Sequence, residues 1–250
     1  MQLDAQTILM IFVGLQILLM IFKARSSQWH YHSDKPHAWI EAGKRGELAP
    51  ALRRLEQASS DKVRLYTFWL QSERLEREAV PGAMAELGVY KGETAELLHL
   101  LAPERDLHLF DTFEGFKAQD LAHEKAFGKY YQPGYFADTE LESVQKRLGD
   151  SDRLHFHAGY FPDTTAELPE QSYALVHLDA DLYMPTLQAL RYFYPRLSPG
   201  GVIIVHDYNH IWDGVRQALH EFCPTIPENL IELPDRQGSA MLIRQKLISS

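Results

Sequence analysis

Ala85-Glu86-Leu87-Gly88-Val89-Tyr90-Lys91-Gly92-Glu93-Thr94-Ala95 decides the fold. A short apolar run closes on an acid and a glycine, a second glycine follows four residues later, and a helix-forming stretch begins. Pro81-Gly82 mark a turn just upstream. This is the pattern of the first strand–helix turn of an open α/β sheet, where a nucleoside-type cofactor is held. Glycines let the backbone turn sharply and come close to a ligand. The dinucleotide pattern G-x-G-x-x-G, begun at Gly88, requires glycine at 90 and 93, where the chain has Tyr90 and Glu93. A pyrophosphate needs that close backbone approach, and S-adenosylmethionine, which carries no phosphate, does not. The loop therefore favours S-adenosylmethionine over NAD, with Glu86, Gly88, Tyr90, Gly92 and Thr94 as candidate cofactor residues. A strand–helix turn without a ligand is the competing reading.

Outward from this loop, strand and helix signals alternate. Strands are expected at 83–87, 107–111, 154–157, 173–178 and 202–205, and helices at 94–101, 141–148, 187–193 and 213–222. Residues 230–233 and 240–243, joined by Asp235-Arg236-Gln237-Gly238, read as a hairpin that adds one antiparallel strand. Upstream, 48–77 has helical periodicity through Leu52, Leu55, Val63, Tyr66, Phe68 and Trp69. Alternating β and α units imply a mostly parallel, doubly wound sheet covered on both faces. Ligands of such sheets bind beyond the carboxyl ends of the strands.

Acids stand at those ends. Asp111 closes the second strand, 23 residues after Gly88, where a carboxylate can accept ribose hydroxyls, and Thr112 follows it. Asp179 and Asp181 follow the fourth strand, and His206 and Asp207 the fifth. Asp179, His206 and Asp207 are candidate ligands for Mg²⁺ or Mn²⁺. The alternative is that these acids cap helices and His206 makes a polar contact with them.

The N-terminus reads differently. Residues 5–22 carry no charge, near the lower limit of about 17–25 residues for a membrane-spanning helix. Asp4 precedes the run and Lys23 and Arg25 follow it, which argues against a secretory signal and, by the positive-inside rule, places the rest of the chain in the cytoplasm. The expected organisation is thus a membrane anchor helix over 1–25, a juxtamembrane linker and start of a helical cap over 26–60, and a cofactor domain over 61–250. Trp29 and Tyr31 would lie near lipid headgroups, and His30, His32 and His37 lack the spacing of a metal site. The net charge of −9, with no basic stripe, excludes nucleic acid as a partner. The single cysteine, Cys223, forms no internal disulfide and reads as a buried small apolar residue.

Residues 85–92, Phe110-Asp111-Thr112-Phe113-Glu114-Gly115-Phe116, Gly159-Tyr160-Phe161-Pro162-Asp163-Thr164, 178–186 and 197–208 together resemble the macrocin O-methyltransferase family. The resemblance covers about residues 60–245. It implies a class I S-adenosylmethionine-dependent methyltransferase with a Rossmann-like seven-stranded sheet and an antiparallel final strand, acting on sugar hydroxyls of natural products. It also implies Gly159 and Asp179 as cofactor neighbours. Family members of known mechanism hold Mg²⁺ with an Asp after the fourth strand and an Asp-Asp pair after the fifth, which fall here on Asp179, His206 and Asp207. His206 departs from that pattern and removes one hard anionic ligand.

A sugar hydroxyl is weakly acidic, so its methylation needs a metal or a base. Without a metal, His206 is the natural base, with Asp179 or Asp207 orienting its ring. Residues 117–138 are long, aromatic and irregular, which suggests a mobile cover over the acceptor, or else a packed insertion. Partners expected are a small-molecule or glycan acceptor, the membrane, and a second copy of the chain in a homo-oligomer. Two other classes compete: an NAD-dependent oxidoreductase, and an inactive cofactor-binding membrane module.

Overall fold

The computed structural model describes residues 4–33 and 35–246. The chain divides into two compact units, one ending at Leu48 and one beginning at Ala49. The first holds α1 (Ala5–Ser33) and α2 (His37–Arg45). The second holds α3 (Pro50–Ala58), α4 (Lys62–Arg77), β1 (Ala83–Leu87), α5 (Glu93–Leu101), β2 (Leu107–Asp111), α6 (Ala118–Glu124), α7 (Leu141–Leu148), β3 (Leu154–Ala158), β4 (Tyr173–Leu178), α8 (Tyr183–Arg196), β5 (Leu197–Val205), α9 (Asp213–Phe222), β6 (Ile231–Glu232) and β7 (Ala240–Ile243).

The expected membrane anchor is overturned. Among the described residues, no helix is long and apolar enough to cross a membrane. The inference that the domain hangs from a membrane on its cytoplasmic side falls with it. α1 continues through 26–33 to Ser33. The side chains of Trp29, His30, Tyr31 and His32, and with them the lipid-headgroup and histidine readings, lie outside the described residues.

The sheet has seven strands in the order β3-β2-β1-β4-β5-β7-β6. All pairs from β3 to β5 are parallel, and β7 runs antiparallel to both β5 and β6. Burial explains the residue choice. β1, β4 and β5 are covered on both faces, so they are runs of apolar residues rather than alternating ones. The core packs Phe110, Tyr173, Val176, Leu190, Phe193 and Ile203 against the sheet.

The order reverses between β1 and β4, the point where open α/β sheets form a ligand crevice. Gly88 follows β1 there. Its φ is +89°, and a Cβ on it would stand 2.0 Å from the carbonyl oxygen of Asp179, just past β4. The glycine is therefore needed first for the close approach of two chain segments.

Three departures have local causes. The helical stretch 48–77 breaks into α3 and α4 because Asp61 stops and restarts it, its Oδ1 accepting from the Arg64 N–H at 3.0 Å as an N-cap. α8 begins at Tyr183 because Glu124 Oε1 accepts from its free N–H at 2.8 Å. β5 begins at Leu197, and Pro199-Gly200-Gly201 is absorbed as an irregularity in register against β4.

Candidate active site

The carboxyl ends of β1, β2, β4 and β5 open onto a cavity of about 420 Å³. Its wall includes Glu86, Gly88, Tyr90, Thr94, Asp111, Thr112, Gly159, Asp179, His206 and Asp207, so nearly every residue expected at the site is there. Gly92 is the exception. It begins α5 in the left-handed conformation, with φ +77°, and a Cβ would meet Val144 at 2.9 Å. Its role is to start the helix and admit α7.

One half of the cavity is built by backbone and carboxylate. Asp111 Oδ2 accepts from the N–H groups of Val89 and Tyr90, each at 2.8 Å, and Oδ1 from Phe113 N–H at 2.8 Å. A carboxylate offers about four acceptor sites. With three taken, Asp111 keeps acceptor capacity toward the cavity for a ribose hydroxyl. Thr112 donates to the Gly115 carbonyl at 3.0 Å. Tyr90 hydroxyl donates to Asp138 at 2.8 Å, and its ring meets Phe136 edge-on.

Deeper in, Glu86 faces His177 across β1 and β4, Oε1 to Nδ1 at 2.9 Å, both fully buried. Burial, and then the negative charge of Asp179, push the Glu86 carboxyl well above its ordinary range. Burial drives the His177 imidazole well below its own. Glu86 Oε2 has no hydrogen-bond partner among the described residues, and Glu86 lines the cavity. An orphaned buried acceptor on a cavity wall fits a ligand donor, such as the ammonium of an amino acid.

The other half gathers charged side chains. His206, 3 % exposed, places Nδ1 2.9 Å from Asp179 Oδ1 and 3.2 Å from Asp207 Oδ2. Burial pulls the imidazole down, but the charge of Asp179 and hydrogen bonds to both carboxylates carry it up to about 9. Burial would raise Asp179, yet His206 and Arg64 hold it below the usual carboxylate range. Asp181 is held well above that range by burial and then by the charges of Asp179 and Asp207. Tyr90, Asp181 and Asp207 all take positive φ, of 49°, 60° and 62°. Such backbone strain costs on the order of 1–3 kcal/mol each and persists where the surroundings over-determine it.

Asp179, His206 and Asp207 thus converge, each offering a donor atom within 4.8 Å of the others. Sequence reading did not reveal what stands among them. Arg64, in the first turn of α4, brings Nη1 to 2.8 Å from His206 Nε2 and Nη2 to 3.2 Å from Asp179 Oδ2 and 2.6 Å from Thr94 Oγ1. Arginine has only donors and stays charged. Nε2 must therefore accept, which makes His206 the neutral tautomer protonated on Nδ1 in this arrangement. The upward pull of Asp179 on the imidazole is opposed here by the guanidinium, because a second proton on Nε2 would set two donors face to face. Both oxygens of Asp179 and both ring nitrogens of His206 are hydrogen-bonded. A hard divalent ion needs several free oxygen ligands, and only Asp207 Oδ1 lacks a hydrogen-bond partner among the candidate donors. The side chains as arranged do not fit Mg²⁺ or Mn²⁺.

Sequence reading also missed Gln237, which reaches the wall from the β6–β7 turn, and left Asp181 without a role. The expected cover over 117–138 is in part helical, through α6. Tyr160 hydroxyl donates to the buried Asp120 at 2.6 Å, and Phe116 and Tyr131 pack around Trp212. Lys117, Asp120 and Phe136 contribute to the wall. The segment thus packs through Asp120, Leu121 and Glu124, while Tyr130 and Tyr135 stay exposed.

The sheet order, the glycine turn and the acids at the strand ends define an S-adenosylmethionine-dependent methyltransferase of class I. A model of the macrocin O-methyltransferase family matches residues 24–239, and the chain belongs to that family. It is similar to the mycinamicin III 3''-O-methyltransferase of Micromonospora griseorubida, 32% identical over 177 residues, which cover 65% of this chain and 68% of that one. It is also similar to a rhamnosyl-tetracenomycin-C 4'-O-methyltransferase of Streptomyces olivaceus, 32% identical over 58% of this chain and 59% of that one. Among solved structures it matches the O-methyltransferase NovP with a TM-score of 0.62 and 25% identity, covering 74% of this chain and 81% of that one. The calicheamicin methyltransferase CalS11 matches with a TM-score of 0.58 and 26% identity, covering 71% and 79%.

Proposed function

We propose that this enzyme methylates a hydroxyl of a sugar, either attached to a natural product or carried as an activated sugar. The names of its relatives support the acceptor class: a mycinamicin, a rhamnosyl tetracenomycin and a demethyldecarbamoylnovobiocin are their substrates. The observation that carries the chemistry is His206, an imidazole oriented on the cavity wall by two carboxylates.

When bound, S-adenosylmethionine supplies a methyl group already activated by its sulfonium, and transfer to oxygen releases one proton. The chain must hold the acceptor, exclude water and take that proton. Asp111 holds the glycine loop in shape and offers one acceptor site to a ribose hydroxyl. Glu86 Oε2 offers the buried acceptor for an ammonium. Gly88 lets the chain after β1 pass close against Asp179, and Gly159 lets its loop pack on Thr164, which shapes the wall. Positioning of this kind can supply on the order of 7–11 kcal/mol of a barrier. His206 accepts the proton at Nε2, and Asp179, accepting from Nδ1–H, keeps the ring in the right tautomer. Phe116 and Phe136 offer apolar faces, and Asp120 and Asp181 polar edges, to a sugar ring. Nothing in this reading requires a divalent ion.

The test is a panel of glycosylated macrolides and nucleoside-diphosphate sugars incubated with S-adenosylmethionine bearing a trideuterated methyl group. Mass spectrometry should find a labelled methyl ether on a sugar oxygen. Label on nitrogen, on an aglycone phenol or on carbon alone would refute the acceptor class.

A further inference from the structure

We propose that Arg64 takes the place of a divalent cation at this site, its guanidinium holding the acceptor oxygen next to His206. The inference rests on the methyltransferase reading and extends it to the group that stabilises the oxygen.

Three observations carry it. The first is position. Arg64 is bonded to the two residues that sequence comparison within the fold would give to a metal, Asp179 and His206, and it lines the cavity. The second is that the position is built. Asp61 Oδ1 accepts from Arg64 N–H at 3.0 Å, and Asp61 Oδ2 accepts from Arg236 N–H at 2.7 Å, so one carboxylate fixes the start of α4 and the turn that carries Gln237. Thr94 holds Nη2 from the first turn of α5. The third is electrostatic. A guanidinium at a helix N-terminus opposes the helix dipole, at a cost of about 0.3–1 kcal/mol. The carboxylate of Asp179, 3.2 Å from Nη2, offsets that cost. Asp179 and Asp207 are also the anions that would otherwise neutralise a metal.

A guanidinium has five N–H donors. Three serve His206, Thr94 and Asp179. Two remain without a hydrogen-bond partner among the described residues. The acceptor hydroxyl enters between Nη1 and His206 Nε2, which now touch at 2.8 Å. Its oxygen accepts from the guanidinium and its proton points to Nε2. As the oxygen–methyl bond forms, the proton passes to Nε2 and the guanidinium keeps its own protons. A preorganised donor aimed at developing charge in a dry site is typically worth about 100- to 1,000-fold in rate. Here that contribution falls to an arginine, as it would to a Lewis acid elsewhere.

Electron paramagnetic resonance of Mn²⁺ titrated with the full chain separates the two cations without any turnover. The wild-type protein is expected to leave Mn²⁺ free at concentrations where Arg64→Ala, which uncovers Asp179, His206 and Asp207, binds it. Stoichiometric Mn²⁺ binding by the wild type, lost in Asp179→Asn, would overturn the proposal. In parallel, calorimetry with S-adenosylhomocysteine checks that Arg64→Ala is folded, with binding expected within about threefold of wild type. With an acceptor found by the labelling panel, turnover in EDTA should equal turnover with added Mn²⁺, fall about 100- to 1,000-fold in Arg64→Ala and recover in part in Arg64→Lys. Dependence of wild-type turnover on added metal would sink the idea. A panel with no labelled product would instead count against the sugar acceptor, and the Mn²⁺ titration would still decide the role of Arg64.

Discussion

The two halves of the cavity are made in different ways. Around β1 and β2, Asp111 ties together backbone groups 21 and 22 residues away, and the glycine turn shapes itself. Around β4 and β5, the central contacts join residues 115 and 142 positions apart, Arg64 with Asp179 and with His206. The first half is a backbone cradle with one carboxylate as its keystone. The second is a cluster of side chains whose protonation and contacts depend on one another. A cradle suits a cofactor of fixed shape, and a coupled cluster suits proton transfer. Changes in the cradle should therefore affect binding or folding, and changes in the cluster should affect turnover.

Gly88→Ala should have the largest effect. The added Cβ would meet the Asp179 carbonyl, and the left-handed φ would be strained. Overpacking of this kind with backbone strain costs about 3 kcal/mol or more. Thermal unfolding by circular dichroism should show a large drop in Tm or no folded protein at all. A normal Tm would mean that β1 and β4 are not held this close.

Asp179→Asn comes next and tests the cluster. The substitution removes the charge that orients His206 and can present an N–H to the ring N–H. Loss of a positioned proton acceptor costs about 100-fold or more in turnover. Steady-state kinetics should put the loss in kcat. A change confined to KM would move Asp179 into acceptor binding.

Asp111→Asn should act on the other side of the contrast. Charge-assisted bonds to Val89, Tyr90 and the ligand are weakened, each worth roughly 1.5–3 kcal/mol. Calorimetry should show S-adenosylhomocysteine binding weakened at least about tenfold. Unaltered affinity would remove Asp111 from the cofactor site. The smallest effect is expected from Asp61→Ala, which loses an N-cap worth about 1 kcal/mol. It should lower Tm modestly, and turnover should fall further than stability if the cap positions Arg64.

The same contrast explains what could be read in the sequence. The strands at 83–87, 107–111 and 173–178 and the helices at 141–148 and 213–222 match the structure because their signals are local: apolar runs, a turn, an acid at a carboxyl end. Gly88, Asp111, Asp179 and His206 were legible for the same reason. Arg64 was not, because it falls in an ordinary amphipathic helix with nothing in its neighbours to mark it. The available hint was a basic residue in a first helical turn, where the dipole disfavours it. The role of Gly92 was misread because its neighbour Val144 is remote in sequence. The apolar stretch at 5–22 reads as a span on hydropathy, yet among the described residues no helix is long and apolar enough to cross a membrane.

The division between cradle and cluster is tested most directly by S-adenosylhomocysteine calorimetry on His206→Ala, with turnover measured on the same preparation. The expected result is affinity within about threefold of wild type, together with a fall of about 100- to 10,000-fold in kcat. Loss of S-adenosylhomocysteine binding in this variant, or turnover close to wild type, would contradict it.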